Sequence, residues 1–175
     1  MKLLPLLIVL LLSSSTAFAQ GRPPQKPIEI SCEVGEVAGV SDKVSVDLQI
    51  LVKPEGTASK VLVRDAGMSG GRLELELDDL LKISDALEDA SESLLDGLNY
   101  TKKIRQITVK IGSYGDDKTV EISAEQKGLL IFGSSAINLD SDNAAGLARV
   151  LKRSKKNADW LLPRSETFQK KQSDK

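Results

Sequence analysis

The sequence contains no histidine. That removes the commonest general base and the commonest transition-metal ligand. It holds one cysteine, Cys32, so no intramolecular disulfide can form and stability must come from packing. Without His and with one Cys, the usual zinc, copper and haem ligand sets are missing. Aromatic residues make up only 3% of the chain. Sugar and single-stranded nucleic-acid sites stack rings on their ligands, and few rings are present to do so. Formal net charge is −1, so no global field draws the chain to a polyanion. These absences leave no expected catalytic residue, cofactor or metal.

One long apolar run is present, Leu3–Leu12, broken only by Pro5. Lys2 precedes it, and Ser13–Thr16 and Ala17-Phe18-Ala19 follow it. A positive end, an apolar stretch and a small-x-small triplet are the three parts of a secretory signal, with cleavage before Gln20. The run is about half the length that a bilayer span needs. No later segment is long enough to span. Cys32 lies too far from the cleavage point to carry a lipid. The expected location is secreted or periplasmic. The expected organisation is a signal at 1–19, a Pro-rich leader at 20–27, one domain at 28–163 and a polar tail at 164–175.

Within the domain, period-two alternation marks strands at Ile28–Val34, Val44–Val52, Lys60–Arg64 and Arg72–Leu77. The period then changes. Leu80, Ile83, Leu87, Ala90 and Leu94 form a helical stripe, with Asp78 as its cap and Gly97 as its end. Strands resume at Ile104–Ile111, Lys118–Ala124, Gly128–Phe132 and Ser135–Leu139. A second helix starts near Asp140–Asp142 and runs to about Leu162, where Pro163 discourages continuation. The fold class is α+β: antiparallel sheet with two main amphipathic helices. Cys32 falls on the apolar face of its strand, the place of a small buried residue.

The two strand-to-helix junctions match without a gap. Leu73, Leu75, Asp78, Ile83, Leu87 and Ala90 correspond to Ile137, Leu139, Asp142, Leu147, Leu151 and Ser154, each 64 residues later. A duplicated strands-then-helix unit leaves this trace. So do two independent strands followed by capped amphipathic helices. A β-β-β-β-α unit used twice is similar in topology to the Whirly class of single-stranded nucleic-acid binders. No motif of that class stands here, and a near-neutral, ring-poor, exported chain argues against nucleic acid.

Three local patterns touch on chemistry. Gly67-Met68-Ser69-Gly70-Gly71 matches the serine-hydrolase elbow, but that device needs a following helix and a histidine; it reads as a glycine turn. Asp140–Gly146 opens like a calcium loop but has Ala144 and Ala145 where a ligand and a glycine belong. Helix capping accounts for its acids. Glu74, Glu76 and Asp78 alternate along a strand and could serve a carboxylate enzyme or hold a cation; a solvated strand face is the plainer expectation. Asn99-Tyr100-Thr101 matches the N-glycosylation pattern.

What stands out is charge. Carboxylates crowd 64–96, against Arg64, Arg72 and Lys82 alone, while bases outnumber acids from Arg149 to the C-terminus. The expectation is a non-catalytic binding or structural module of the cell envelope. Its macromolecular partner would be steered by charge, with Arg149, Lys152, Arg153, Lys155 and Lys156 as candidate contacts. The alternatives are a carboxylate-based enzyme or cation-binding protein, and attachment of the basic helix to an anionic surface.

Overall fold

In the computed structural model, residues 27–53, 56–67, 71–125 and 136–173 are described. The expected signal, most of the expected leader, the centre of the glycine-rich segment 67–71 and the expected Gly128–Phe132 strand lie outside them.

Four strands and a helix are followed by four strands and a helix. The first unit is β1 (Ile28–Ala38), β2 (Lys43–Lys53), β3 (Gly56–Asp65), β4 (Arg72–Glu76) and α1 (Leu80–Leu95). The second is β5 (Thr101–Ile104), β6 (Ile107–Tyr114), β7 (Asp117–Ala124), β8 (Ala136–Leu139) and α2 (Ser141–Ser173). Each unit makes one sheet in chain order, β1-β2-β3-β4 and β5-β6-β7-β8, and every neighbouring pair is antiparallel.

Alternation sets the sheet faces. Val44, Val46, Leu48, Ile50 and Val52 are buried, and the residues between them face outward. A one-residue slip would expose the whole row, so the register is strongly specified. Strand β1 changes phase once, at a bulge between Glu33 and Gly35. Before it Ile30 and Cys32 pair with Ile50 and Leu48; after it Gly35 and Val37 pair with Val46 and Val44. Strand β1 and helix α2 approach closely there: a Cβ at Gly35 would stand 3.3 Å from the Val150 side chain on α2. Gly146 of α2 makes the reciprocal approach, 3.2 Å from Val37.

The helices are exchanged between the units. Helix α1 packs on β5, β6 and β7, while α2 lies mainly on β1, β2 and β3, and the two helices pack on each other. They run antiparallel: Ser91 meets Ser141, and Asp85 and Glu88 meet Lys152. Both sheets and both helices therefore share one core. The matched positions are equally inaccessible: Leu73 and Ile137, Leu75 and Leu139, Ile83 and Leu147, Leu87 and Leu151, Ala90 and Ser154 are all at most 1% exposed. The edges β4 and β8 also meet, where a Cβ on Gly71 would lie 2.6 Å from the Ala136 carbonyl.

Four local expectations are corrected. Ile104–Ile111 is not one strand: the chain reverses at Arg105-Gln106, and Ile104 pairs with Ile107. Arg105 takes φ 52°, the place a two-residue hairpin turn usually gives to glycine, so no sequence signal marked it. Asp79, not Asp78, occupies the cap of α1, and its side chain makes no capping bond. Helix α2 continues through Pro163 to Ser173. Proline removes one N–H and crowds the carbonyl a turn earlier, yet Arg164 donates to the Trp160 carbonyl and Ser165 Oγ to that of Leu162 around the break. Cys32 is half-buried, not buried, because β1 is a sheet edge.

Candidate functional site

The five bases singled out in the sequence divide into two groups. Lys152 turns into the seam between the helices. Its Nζ donates to both Glu88 oxygens at 2.8 and 2.9 Å and lies 3.4 Å from Asp85. The Glu88 bond raises the lysine pKa against some desolvation, and Asp85 adds to the rise. Lys155, half-buried, pairs with Asp159 one turn along the same helix. These two bases help hold the structure. Arg149, Arg153 and Lys156 are exposed, and no carboxylate pairs with them among the described residues. Arg149 Nε donates to the Ala145 carbonyl at 3.3 Å.

The exposed bases are spaced four and three residues apart, which places them on one face of α2. Trp160 and Arg164 continue that line. Trp160 is 58% exposed, and the Arg164 guanidinium lies 3.8 Å over its ring, a cation–π contact. A cleft of about 520 Å³ runs beside the upper part of the line, between the bulged half of β1 and α2, with Glu36, Asn143, Arg149 and Arg153 on its walls.

Helix α1 carries the opposite charge at the same places. Asp85, Asp89 and Glu92 are exposed and precede Arg149, Arg153 and Lys156 by 64 residues each. Asp89 accepts from the Tyr100 hydroxyl at 3.2 Å and lies 3.7 Å from Lys102. Burial first, and then the Asp89 charge and bond, push the Tyr100 pKa up to about 12.

The carboxylate row has a different character. Glu74 pairs with Lys60 and Arg72, which holds its pKa below the usual carboxylate range, the Lys60 bond most of all. A general acid needs the opposite shift. Glu76 shares that sheet face, but Asp78 lies in the turn beyond it. Together with the Arg64–Asp47 pair, these charges roof over Leu62, which is 2% exposed. Asp140 caps α2: its carboxylate accepts from the Asn143 amide N–H and side chain, both at 2.8 Å. No group of three or more His, Cys, Asp or Glu is placed to hold a metal among the described residues. Strand β4 begins at Arg72, directly after Gly71.

One pairing was missed in the sequence. Asp79 is 4% exposed, and Arg105 Nη1 reaches its Oδ2 at 3.0 Å from the strained β5–β6 turn. Asp79 Oδ1 has no hydrogen-bond partner. Nothing in the spacing of residues 79 and 105 foretold the contact, which is made by tertiary packing.

No protein-family model matches this chain, and no curated protein matches it. Among solved structures, one described as "Mutations in SsgB correlate to longitudinal cell division during sporulation of Streptomyces coelicolor" is similar over 78% of this chain and 92% of that one. The identity is 14% and the TM-score 0.32. At that level the likeness says nothing about activity or partner.

Proposed function

We propose that the protein is an exported, non-catalytic binding module whose α2 face captures an acidic macromolecular partner. The observation that carries this reading is the contrast among its bases. Lys43, Lys60, Arg64, Arg72, Lys110 and Lys152 each lie against a carboxylate of their own fold. Arg149, Arg153 and Lys156 are aligned, exposed and unmatched. An unmatched row of charge steers association and fixes register, and it does so in a salt-dependent way. Export rests on the Lys2–Ala19 pattern, and intact mass of the protein from its host should give a chain beginning at Gln20.

The test is retention on immobilised polyglutamate and on vesicles rich in anionic lipid. Binding to polyglutamate at low salt is expected, with loss as ionic strength rises. The variant Arg149→Glu/Arg153→Glu/Lys156→Glu, which spares Lys152, should lose retention while keeping its circular dichroism spectrum. Retention on vesicles alone would replace this reading with surface attachment. Retention indifferent to salt and to the variant would end it.

A further inference from the structure

Strand β1 is a sheet edge. Strand β2 holds one side of it, and among the described residues no strand pairs with the other. Unpaired backbone N–H and C=O groups therefore line that side. Ile30, Cys32, Val34 and Val37 pack against the core yet stay half-buried, whereas Val46, Leu48 and Ile50 of β2 are inaccessible. The difference is the neighbour that β1 lacks. Helix α2 lies beside this edge, and the cleft of about 520 Å³ between them is lined by Gly35 and Val37 of β1 and by Gly146, Arg149, Val150 and Arg153 of α2.

We infer that this edge takes an extended acidic segment of a partner protein as a fifth strand. The inference rests on the reading of α2 as a capturing face and names the form its partner takes. Added strands gain affinity from main-chain hydrogen bonds and specificity from alternate side chains. The spacing of α2 against β1 says which side chains. Gly35 lies against Val150, and Val37 against Gly146. Four residues of helix, about 6 Å, thus match two of strand, about 6.7 Å, and α2 runs antiparallel to β1 here. Arg149 and Arg153 are also four apart, so they meet the side chains at i and i+2 on one face of an added strand. Both are exposed and lack a carboxylate partner among the described residues, so acids belong at those two places.

The other charges of the cleft limit the choice. Asp142 lines it two turns before Arg149, which disfavours acid at that end. Glu36 lies against Lys43, so it competes little for the arginines. A second copy does not fit. Laid antiparallel about Ser31, two β1 strands would set Glu29 opposite Glu33, both exposed, and like charges directly opposite are destabilising. Natural sheet edges resist self-pairing in this way. The partner is therefore a different chain, acidic at alternate positions.

The probe is a soluble peptide of alternating glutamate and valine, followed by amide hydrogen exchange in the intact protein. Its control has proline for the central valine, which keeps every charge but removes an N–H that a strand ladder needs. At low salt the alternating peptide should bind, and at saturation it should slow exchange at alternate amides between Ile30 and Val37 at least about tenfold. The other edge, β5, should be unchanged. Thiol labelling of Cys32 should slow in parallel. The proline peptide should bind at least about tenfold more weakly. The variant Arg149→Glu/Arg153→Glu should lose the alternating peptide while keeping its circular dichroism spectrum. Binding that leaves exchange in β1 unchanged overturns the inference, as does equal binding of the two peptides; either result leaves α2 as a face that captures charge alone. Binding undiminished by the arginine reversal overturns it too. So does an alternating peptide that fails to bind while polyglutamate is retained. If neither is retained, the capture reading falls with it.

Discussion

Leu87 of α1 and Leu151 of α2 stand 64 residues apart, at matched places, and both are inaccessible to solvent. Asp85 and Arg149, two residues before each, are also matched, and both are exposed with opposite charge. The inner faces of the two helices are alike because they meet the same demand: each covers the sheet of the other unit in one shared core. Outward positions carry no such demand, and they differ in sign. Opposite charge at matched places gives the fold a polar pair of faces without disturbing its packing.

The inner equivalence is the easiest to break. Leu87→Ala and Leu151→Ala should each destabilise by about 2–5 kcal/mol, the range for a fully buried leucine. Chemical unfolding of the two variants measures it. Because each helix seals the other unit's sheet, neither loss stays local, and both variants should unfold in a single transition. One costly position and one silent position would mean that the helices are matched in sequence only.

Much of this comparison was legible in the chain. Alternation in Val44–Val52 and the three-four spacing of Ile83, Leu87 and Ala90 report directly on burial, since an apolar row must face the core. Asp140 was legible as a cap, because capping is a local bond between near neighbours. What could not be read was set by contacts distant in sequence or by tolerated strain. Lys152 looks like its neighbours Arg149 and Arg153 until α1 is laid beside it. The Asp79–Arg105 pair joins a helix start to a turn that has no glycine. Pro163 ends a helix on propensity alone, yet α2 continues through it to Ser173.

The helices also differ in how they end. Helix α1 stops at Leu95, and Gly97 takes φ 70°. Its matched residue, Leu161, lies inside the continuing α2. Only glycine adopts that left-handed conformation without penalty. Gly97→Ala should therefore cost about 1 kcal/mol, although a Cβ there would touch nothing within 4 Å. A matched Leu161→Gly should destabilise for the opposite reason, by loosening a helix interior and removing apolar contact. If Gly97→Ala is neutral in urea unfolding, the end of α1 is not fixed by its backbone conformation, and the contrast between the two ends loses its cause.

The smallest expected effect concerns the anchor that follows the end of α1. Tyr100 donates to Asp89 at 3.2 Å, and its folded-state pKa rises to about 12 from an ordinary value of 10.0. Below pH 10 the phenol is neutral whether the chain is folded or not, so its contribution is fully present. Between pH 10 and 12 the unfolded chain ionises first, and the proton bound only in the fold is lost on unfolding. Stability must fall across that window. The raised lysine Lys152 acts in the same direction, so the comparison needs a control. In Tyr100→Phe the part of the slope due to the phenol should vanish, while the Lys152 part remains. The chain has two tyrosines, so Tyr114→Phe leaves Tyr100 as the single phenolate reporter. Its absorbance should rise late in an alkaline titration of the folded protein, near pH 12. Ionisation near pH 10 in folded protein would show Tyr100 to be hydrated and free of Asp89. Asp89 on the acidic face of α1 would then be held by Lys102 without the phenol.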